Sequence, residues 1–281
     1  MDRLTRFLGE RGLHFYAPLP FDNVEVFSDK LARMRLSFVP QSVWFLLVPY
    51  FSNFGENISA YAVARDYHVW AKDFFEELHP VLKKSIPGAS FAFSCDNSPI
   101  NERKGALTAS LGTLGDNGLL LHPQYGSFFF ICEVLSDAPA SAFPMFVPEN
   151  KAECFHCGAC RRACPTKALL GEGECLSAIT QKKVALSDQE EALILKHGCA
   201  WGCDFCQIAC PINRNALQSK TLLSPIPFFL TDTITFLTSD LIEKMPENEF
   251  NSRAYAWRKK ETILRNLKLL ENFKGNENDE Q

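Results

Sequence analysis

At 281 residues the chain has room for one large domain, or for a medium domain with a small one beside it. Its 46% hydrophobic and 22% charged content is that of a globular protein, and a net charge of −4 neither suggests nor excludes a nucleic-acid partner. Met1-Asp2-Arg3-Leu4-Thr5-Arg6 lacks the apolar stretch of a signal peptide, and no apolar run approaches the roughly 20 residues of a membrane helix. The expected location is therefore cytoplasmic.

In chain order, the first forty residues read as a helical piece, with Ser28-Asp29-Lys30 opening or interrupting a helix. Ser42 to Val48 is a continuous apolar run between prolines, which predicts a buried strand. Residues 58–79 carry Trp70, Phe74 and Leu78 at helical spacing, and Pro80 should end that helix. Ala89 to Ser94 predicts a second strand, residues 95–101 a loop and Glu102 to Leu111 a helix. Glycines 112, 115 and 118 punctuate a turn region, and Gly126 to Leu135 reads as a further strand. Pro139 to Pro148 looks like a linker, residues 154–217 like short helices and loops, and 240–272 like a helix with a mixed charged face. The polar tail from Lys274 to Gln281 is expected to be disordered. The pattern predicts an α+β fold in three segments, 1–145, 146–220 and 221–281.

Eleven cysteines are too many to be incidental. A disulfide framework belongs to small secreted chains, so metal is the better reading. Cys154-x2-Cys157-x2-Cys160-x3-Cys164-Pro165 has the spacing of a bacterial ferredoxin run, in which the fourth cysteine serves the other cluster. Pro165 suits a first helical turn, where a missing N–H costs nothing. Cys203-x2-Cys206-x3-Cys210-Pro211 repeats the end of that run. Two 4Fe–4S clusters that exchange ligands follow: Cys154, Cys157, Cys160 and Cys210 on one, Cys164, Cys203 and Cys206 on the other. The eighth ligand is open between Cys175 and Cys199, because Ala200 stands where an intact second run needs a cysteine. A zinc ribbon is the competing reading, but zinc does not call for this quartet with its prolines. Cys95 and Cys132 read as core residues.

No Gly-x-Gly-x-x-Gly follows a strand, and no Asp-x-His-x-x-Gly occurs, so neither a Rossmann nicotinamide site nor cobalamin with a histidine lower ligand is expected. The stretch Cys95-Asp96-Asn97-Ser98-Pro99-Ile100-Asn101-Glu102-Arg103 ends a strand, turns and opens a helix. Taken alone, it is a turn with a cap, and Glu102 and Arg103 are solvated.

Four stretches nonetheless resemble the epoxyqueuosine reductases, cobalamin-dependent enzymes with two 4Fe–4S clusters that finish queuosine in tRNA. Ala60 to His68 resembles their "RYALGRDYH", and Asp96 to Arg103 resembles "DTAPVLER". Leu111 to Asn117 with Gly126 to Glu133 resembles "LGWIGKN…GSWFFLGE", and Gly202 to Asn213 resembles "GCDDCQEVCPWN". The resemblance implies a nitroreductase-like cofactor domain followed by a ferredoxin-like double-cluster domain and a C-terminal helical segment. It implies Asp96 as proton donor, and Tyr67, His68, Ser98, Gly126 and Ser127 as cofactor-binding residues. Glu174-Cys175-Leu176-Ser177 resembles the family's "CISYLTIE" stretch, which favours Cys175 as eighth ligand. The implied partners are tRNA and an external low-potential electron donor such as ferredoxin or flavodoxin.

Departures accompany the likeness. Asp116 stands where the family has lysine and Thr113 where it has tryptophan, and an anion in a substrate-facing loop would change which ligand is welcome. The chain is expected to be a short member without the family's C-terminal helical repeats. Arg253, Arg258, Lys259, Lys260, Arg265 and Lys268 form a basic helical region, read either as a phosphate contact or as a solvated face. Two other functions stay in view: an electron-transfer protein whose first domain docks a partner, and a corrinoid reductase of a small molecule.

Overall fold

The computed structural model describes residues 2–27, 36–96 and 98–279. The expected helix start at Ser28-Asp29-Lys30, and Asn97, lie outside the described residues. The chain forms two compact units that interleave along the sequence. The first comprises Met1–Tyr50, His68–His156 and Asn215–Ile226, and the second Phe51–Tyr67, Cys157–Arg214 and Pro227–Gln281. The contacts thus group the chain differently from three consecutive segments. No helix among the described residues is long and apolar enough to cross a membrane.

The first unit is built on an antiparallel sheet. Its strands are β1 (Tyr16–Pro20), β2 (Ser42–Pro49), β3 (Phe91–Cys95) and, after a short hairpin of β4 (Thr113–Leu114) and β5 (Leu120–Leu121), β6 (Phe129–Ser136). The order is β1-β2-β6-β3. β2 and β6 lie at the centre, which explains their nearly unbroken apolar runs: every residue of β2 is buried. β1 is a strand within the stretch expected to form a helical piece. Its Pro18 and Pro20 fit an edge, where one row of N–H groups needs no partner. Helix α1 (Arg3–Gly9) is capped by Asp2, which accepts the Thr5 N–H at 2.9 Å.

Helix α2 (Tyr67–Ser85) continues through Pro80, the residue expected to end it. Pro80 is exposed, and the stripe Trp70, Phe74, Leu78 and Leu82 stays buried on both sides of it. Burying Leu82 offsets the hydrogen bond that proline removes. Against the sheet, Phe75 of α2 stacks on Phe93 of β3 at 4.9 Å between ring centroids.

Helix α3 (Glu102–Thr108) belongs to the core of Phe45, Ile100, Ala106, Ile131 and Leu135. It approaches so closely that a Cβ on Gly105 would lie 2.3 Å from the Phe45 ring. Gly105→Ala should therefore cost about 1–3 kcal/mol, seen as a lower denaturation midpoint with an unchanged slope.

The second unit carries the short helices α4 (Ala159–Ala163), α5 (Leu176–Thr180), α6 (Asp188–His197), α7 (Phe205–Ile208) and α8 (Pro211–Gln218). Further on come α9 (Pro227–Leu230), α10 (Ser239–Lys244), α11 (Glu247–Phe250) and α12 (Lys260–Asp279). The backbone of α12 is helical through Asp279, so most of the tail expected to be disordered is helix. Segment 57–60 joins this unit through a bridge from Ile58 to Trp201 and through Asp204. Asp204 is buried and accepts from Ser59 Oγ at 2.5 Å, Ala60 N at 2.6 Å and Gln207 Nε2 at 2.9 Å. Gly202 sits at φ +73°, and a Cβ there would meet Ser59 Cβ at 2.5 Å. Asn266 of α12 donates to Thr180 O and Ala200 O at 2.7 and 2.8 Å, tying the last helix to the cysteine-rich loops.

Candidate functional site

None of the eleven cysteines is in a disulfide. In the second unit α4 packs against α7, so the helical turns bearing Cys160 and Cys206 face one another. Burial pushes the Cys206 thiol up to about 12, and negative charge on Cys203, Asp204, Cys175 and Cys160 adds to it. Burial alone would also raise Cys164. Backbone N–H groups of Leu169, Thr166 and Ala168, with the Thr166 hydroxyl, outweigh it and hold Cys164 below its ordinary value. Thiolates gathered this closely repel one another unless cations lie between them, and N–H donors aimed at sulfur are a standard means of tuning iron–sulfur clusters. The donor set fits such clusters.

Both candidates for the eighth ligand are near. Cys175 is exposed at the start of α5 and close enough to Cys206 to act on its charge. Cys199 packs with Cys203 against Leu176, Ile179 and Ile194, and its thiol donates to His197 O at 3.4 Å.

In the first unit a group of acids surrounds Asp96. Asp96 directly follows β3, lies in the left-handed region at φ 61° and is exposed. Two residues on, the Ser98 hydroxyl donates to Glu133 Oε2. Glu133 lies on β6 between Phe45 of β2 and Ser94 of β3, and it is fully buried. Alternation along β6 turns Glu133 to the same face as Ile131 and Leu135, the face that α3 covers. Burial drives its carboxyl well above the usual range, and neighbouring Glu102 and Asp96 add to the shift while the Ser98 bond opposes it. Burial also pushes Glu102, in the first turn of α3, up to about 7; Asp96 adds to this and Arg103 offsets it. Glu102 is thus not the solvated residue its sequence context suggests.

The comparisons with known proteins bear on both regions. Residues 153–213 match the 4Fe-4S double cluster binding domain, which settles the cluster reading over zinc. An epoxyqueuosine reductase of Listeria monocytogenes is 30% identical over 213 residues, 73% of this chain and 54% of that protein. One of Cyclobacterium marinum is 35% identical over 172 residues, 58% of this chain and 53% of that protein. The fold agrees with the epoxyqueuosine reductase of Streptococcus thermophilus at a TM-score of 0.76 and 20% identity, covering 95% of this chain and 79% of the other. The chain is a relative of the epoxyqueuosine reductases. It spans about half the length of the curated relatives it matches.

Where epoxyqueuosine reductases carry lysine, Asp116 pairs with a residue of the cysteine run: its Oδ1 lies 2.9 Å from His156 Nδ1. Cys154 is beside them, with the three donor atoms within 4.8 Å of one another. The charge reversal is met by an imidazole inside the chain.

The other expected cofactor residues sit on two elements. Tyr67 and His68 open α2, the first buried and the second exposed. Gly126 and Ser127 lie on the buried turn before β6, where Gly126 has φ 56° and exchanges backbone hydrogen bonds with His122 at 2.7 and 2.9 Å. Burial lowers His122 to about 3 and leaves it neutral.

The basic C-terminal region is mostly engaged within the protein. Arg253 is buried and pairs with Asp232 at 2.8 Å, and Lys268 pairs with Glu243 at 2.6 Å. Lys260 donates to Met245 O at 3.0 Å, and Arg265 to Lys182 O and Val184 O at 2.8 and 2.7 Å. These cations stabilise loops rather than form an open phosphate track. Sequence reasoning passed over the role of Glu133, although a lone acid inside the apolar run Phe128 to Leu135 was the available signal.

Proposed function

We propose that this protein is an iron–sulfur oxidoreductase of the epoxyqueuosine reductase type, removing the epoxide oxygen of epoxyqueuosine in tRNA to give queuosine in the cytoplasm. The observation that carries the reading is the combination in one chain of a double-cluster domain and an exposed aspartate, Asp96, backed by the buried carboxyls of Glu102 and Glu133. Relatives named epoxyqueuosine reductase support the substrate class, and one structural neighbour holds an epoxyqueuosine-modified tRNA stem loop.

Cys154, Cys157, Cys160 and Cys210 hold one cluster in this reading, and Cys164, Cys175, Cys203 and Cys206 the other. Once bound, the clusters would supply low-potential one-electron chemistry, with an external donor such as ferredoxin or flavodoxin as the proposed source. A bound cobalamin would supply low-potential, two-electron chemistry at the epoxide. Within the first unit, Ser98 and Ser127 would bring hydroxyls to a bound corrinoid, and Gly126 at φ 56° carries no side chain. His68 sits with Tyr67 at the start of α2 and is assigned to the same cofactor.

Asp96 supplies the proton that lets the epoxide oxygen depart. Its exposure lets it meet a large substrate, and its left-handed backbone places it on a turn. A Bacillus subtilis epoxyqueuosine reductase has been captured with its catalytic aspartate loop swung out of the active site, which supports assigning that loop function to residues 96–101 here.

Nucleoside mass analysis of tRNA from a strain deleted for this gene, in a background without another epoxyqueuosine reductase, tests the reading. Epoxyqueuosine should accumulate and disappear on complementation; unchanged queuosine would remove the tRNA role.

A further inference from the structure

We propose that Glu102, beside the buried acid Glu133, is a proton store behind Asp96, a role that rests on the epoxide-reducing reading of the same site. Deoxygenating an epoxide to an alkene breaks two C–O bonds, forms one C=C bond and releases the oxygen as water. It consumes two electrons, delivered by the low-potential one-electron donor through the clusters, and two protons. Asp96 carries one proton at a time, so each turnover needs it refilled while substrate covers its open face.

The geometry supplies the refill. Glu133 is fully buried; its Oε2 accepts the Ser98 hydroxyl, and its Oε1 has no partner among the described residues. Glu102 Oε2, at the start of α3, is likewise buried without a partner among the described residues. Ser98, which holds Glu133, stands two residues beyond Asp96, and its Oγ also accepts the Ile100 N–H at 3.4 Å.

The surrounding charges leave these acids little choice but to hold protons. Asp96 faces them from the end of β3, and both Asp96 and Glu102 act on Glu133. The thiols of Cys95 and Cys132 face each other across β3 and β6, and the hydrogen bond between them and burial hold Cys95 well above its ordinary range. The residue opposite Glu133 on β2 is Phe45. Arg103 is the neighbouring cation, and its guanidinium is also committed to Gly118 O at 2.6 Å. Among the described residues no ion pair reaches Glu133. A buried carboxylate with one hydroxyl donor and no cation is far less stable than the acid. Glu133 is accordingly the permanent acid that fixes the Ser98 end of the loop, and Glu102, which titrates near neutral pH, is the member that exchanges its proton.

Glu133→Gln keeps an acceptor for Ser98 at nearly the same volume, and Glu102→Gln removes only the exchangeable proton. The first readout is infrared absorption of the full chain across pH, which sees the C=O stretch of a protonated carboxylic acid and needs no substrate. The wild type should show acid absorption that outlasts the Glu102 transition as pH rises and is lost in Glu133→Gln, with a further part titrating near pH 7 that is lost in Glu102→Gln. The second readout is kcat against pH for epoxide reduction. Wild-type kcat should fall as pH rises through about 7. Glu102→Gln should lower kcat about tenfold at pH 6 and abolish that inflection, with KM unchanged. Absence of the acid bands, or a Glu102→Gln profile identical to an active wild type, overturns the store. A wild type that shows both bands but reduces no epoxyqueuosine keeps the buried acids and refutes the substrate reading instead.

Discussion

Asp96→Asn should lose epoxide reduction by about 10²–10⁴-fold while both clusters and the fold remain, because general-acid catalysis is worth that much when the proton must reach a poor leaving oxygen. Asparagine retains the size of aspartate and tolerates the left-handed φ of 61° better than most residues, so the turn should survive the change. The loss should fall on kcat rather than on tRNA affinity, since the proton is needed only as the C–O bond breaks. The same variant should still bleach its iron–sulfur absorption on reduction. A variant with unchanged turnover would shift the acid role to another group, with Glu102 the first to examine.

The second large effect concerns the eighth ligand. Cys175→Ser should halve the iron bound after anaerobic reconstitution, to about four atoms per chain, and should remove one of two reduced-cluster signals by electron paramagnetic resonance. Cys199→Ser should leave both near wild type. Cys175 is exposed beside Cys206, whereas Cys199 is packed against Leu176, Ile179 and Ile194 with its S–H directed to a carbonyl. With one cluster gone the electron path is broken, so Cys175→Ser should also reduce turnover by at least about 10²-fold. The reverse outcome, iron lost in Cys199→Ser and retained in Cys175→Ser, would exchange the two assignments.

pH should act on stability as well as on rate. The pKa of Glu102 in the folded protein, about 7, lies above its unfolded value of 4.5. The native state therefore holds the proton more tightly, and stability is greatest below the unfolded value and lost as pH rises toward 7 and beyond. The full difference corresponds to roughly 3 kcal/mol, which partial exposure of the side chain reduces. Chemical denaturation at pH 5 and pH 8 should show the decline, and Glu102→Gln should flatten it.

The two halves of the site were unequally legible in the sequence. Cluster ligands are set by spacing along a few turns of chain, so Cys154 to Cys164 and Cys203 to Cys210 declare their chemistry locally. β2 and β6 were legible for a similar reason, since central strands must be apolar on both faces. β1 was not, because Pro18 and Pro20 resemble strand breakers until the strand is known to be an edge. Pro80 resembles a helix terminator until Leu82 is seen buried beyond it. The attachment of residues 57–60 to the second unit depends on Asp204, some 145 residues away, and no local pattern announces it. The pairing of Asp116 with His156 is equally non-local, and in the sequence it shows only as a departure from the family. The buried acids were hidden by context: Glu102 looks like an ordinary first-turn residue, and the environment of Glu133 is made by three strands and a helix at once.

In the proposed function this chain couples two 4Fe–4S clusters to removal of an epoxide oxygen. The most direct measurement is a single in vitro reaction under anaerobic conditions, with the reconstituted protein, added cobalamin, a low-potential reductant and tRNA bearing epoxyqueuosine. The digested nucleosides would then be weighed by mass spectrometry. Conversion to a nucleoside lighter by one oxygen atom and identical to queuosine is expected, dependent on both the reductant and Asp96. Epoxyqueuosine recovered unchanged from protein that has demonstrably loaded its clusters and cobalamin would contradict it.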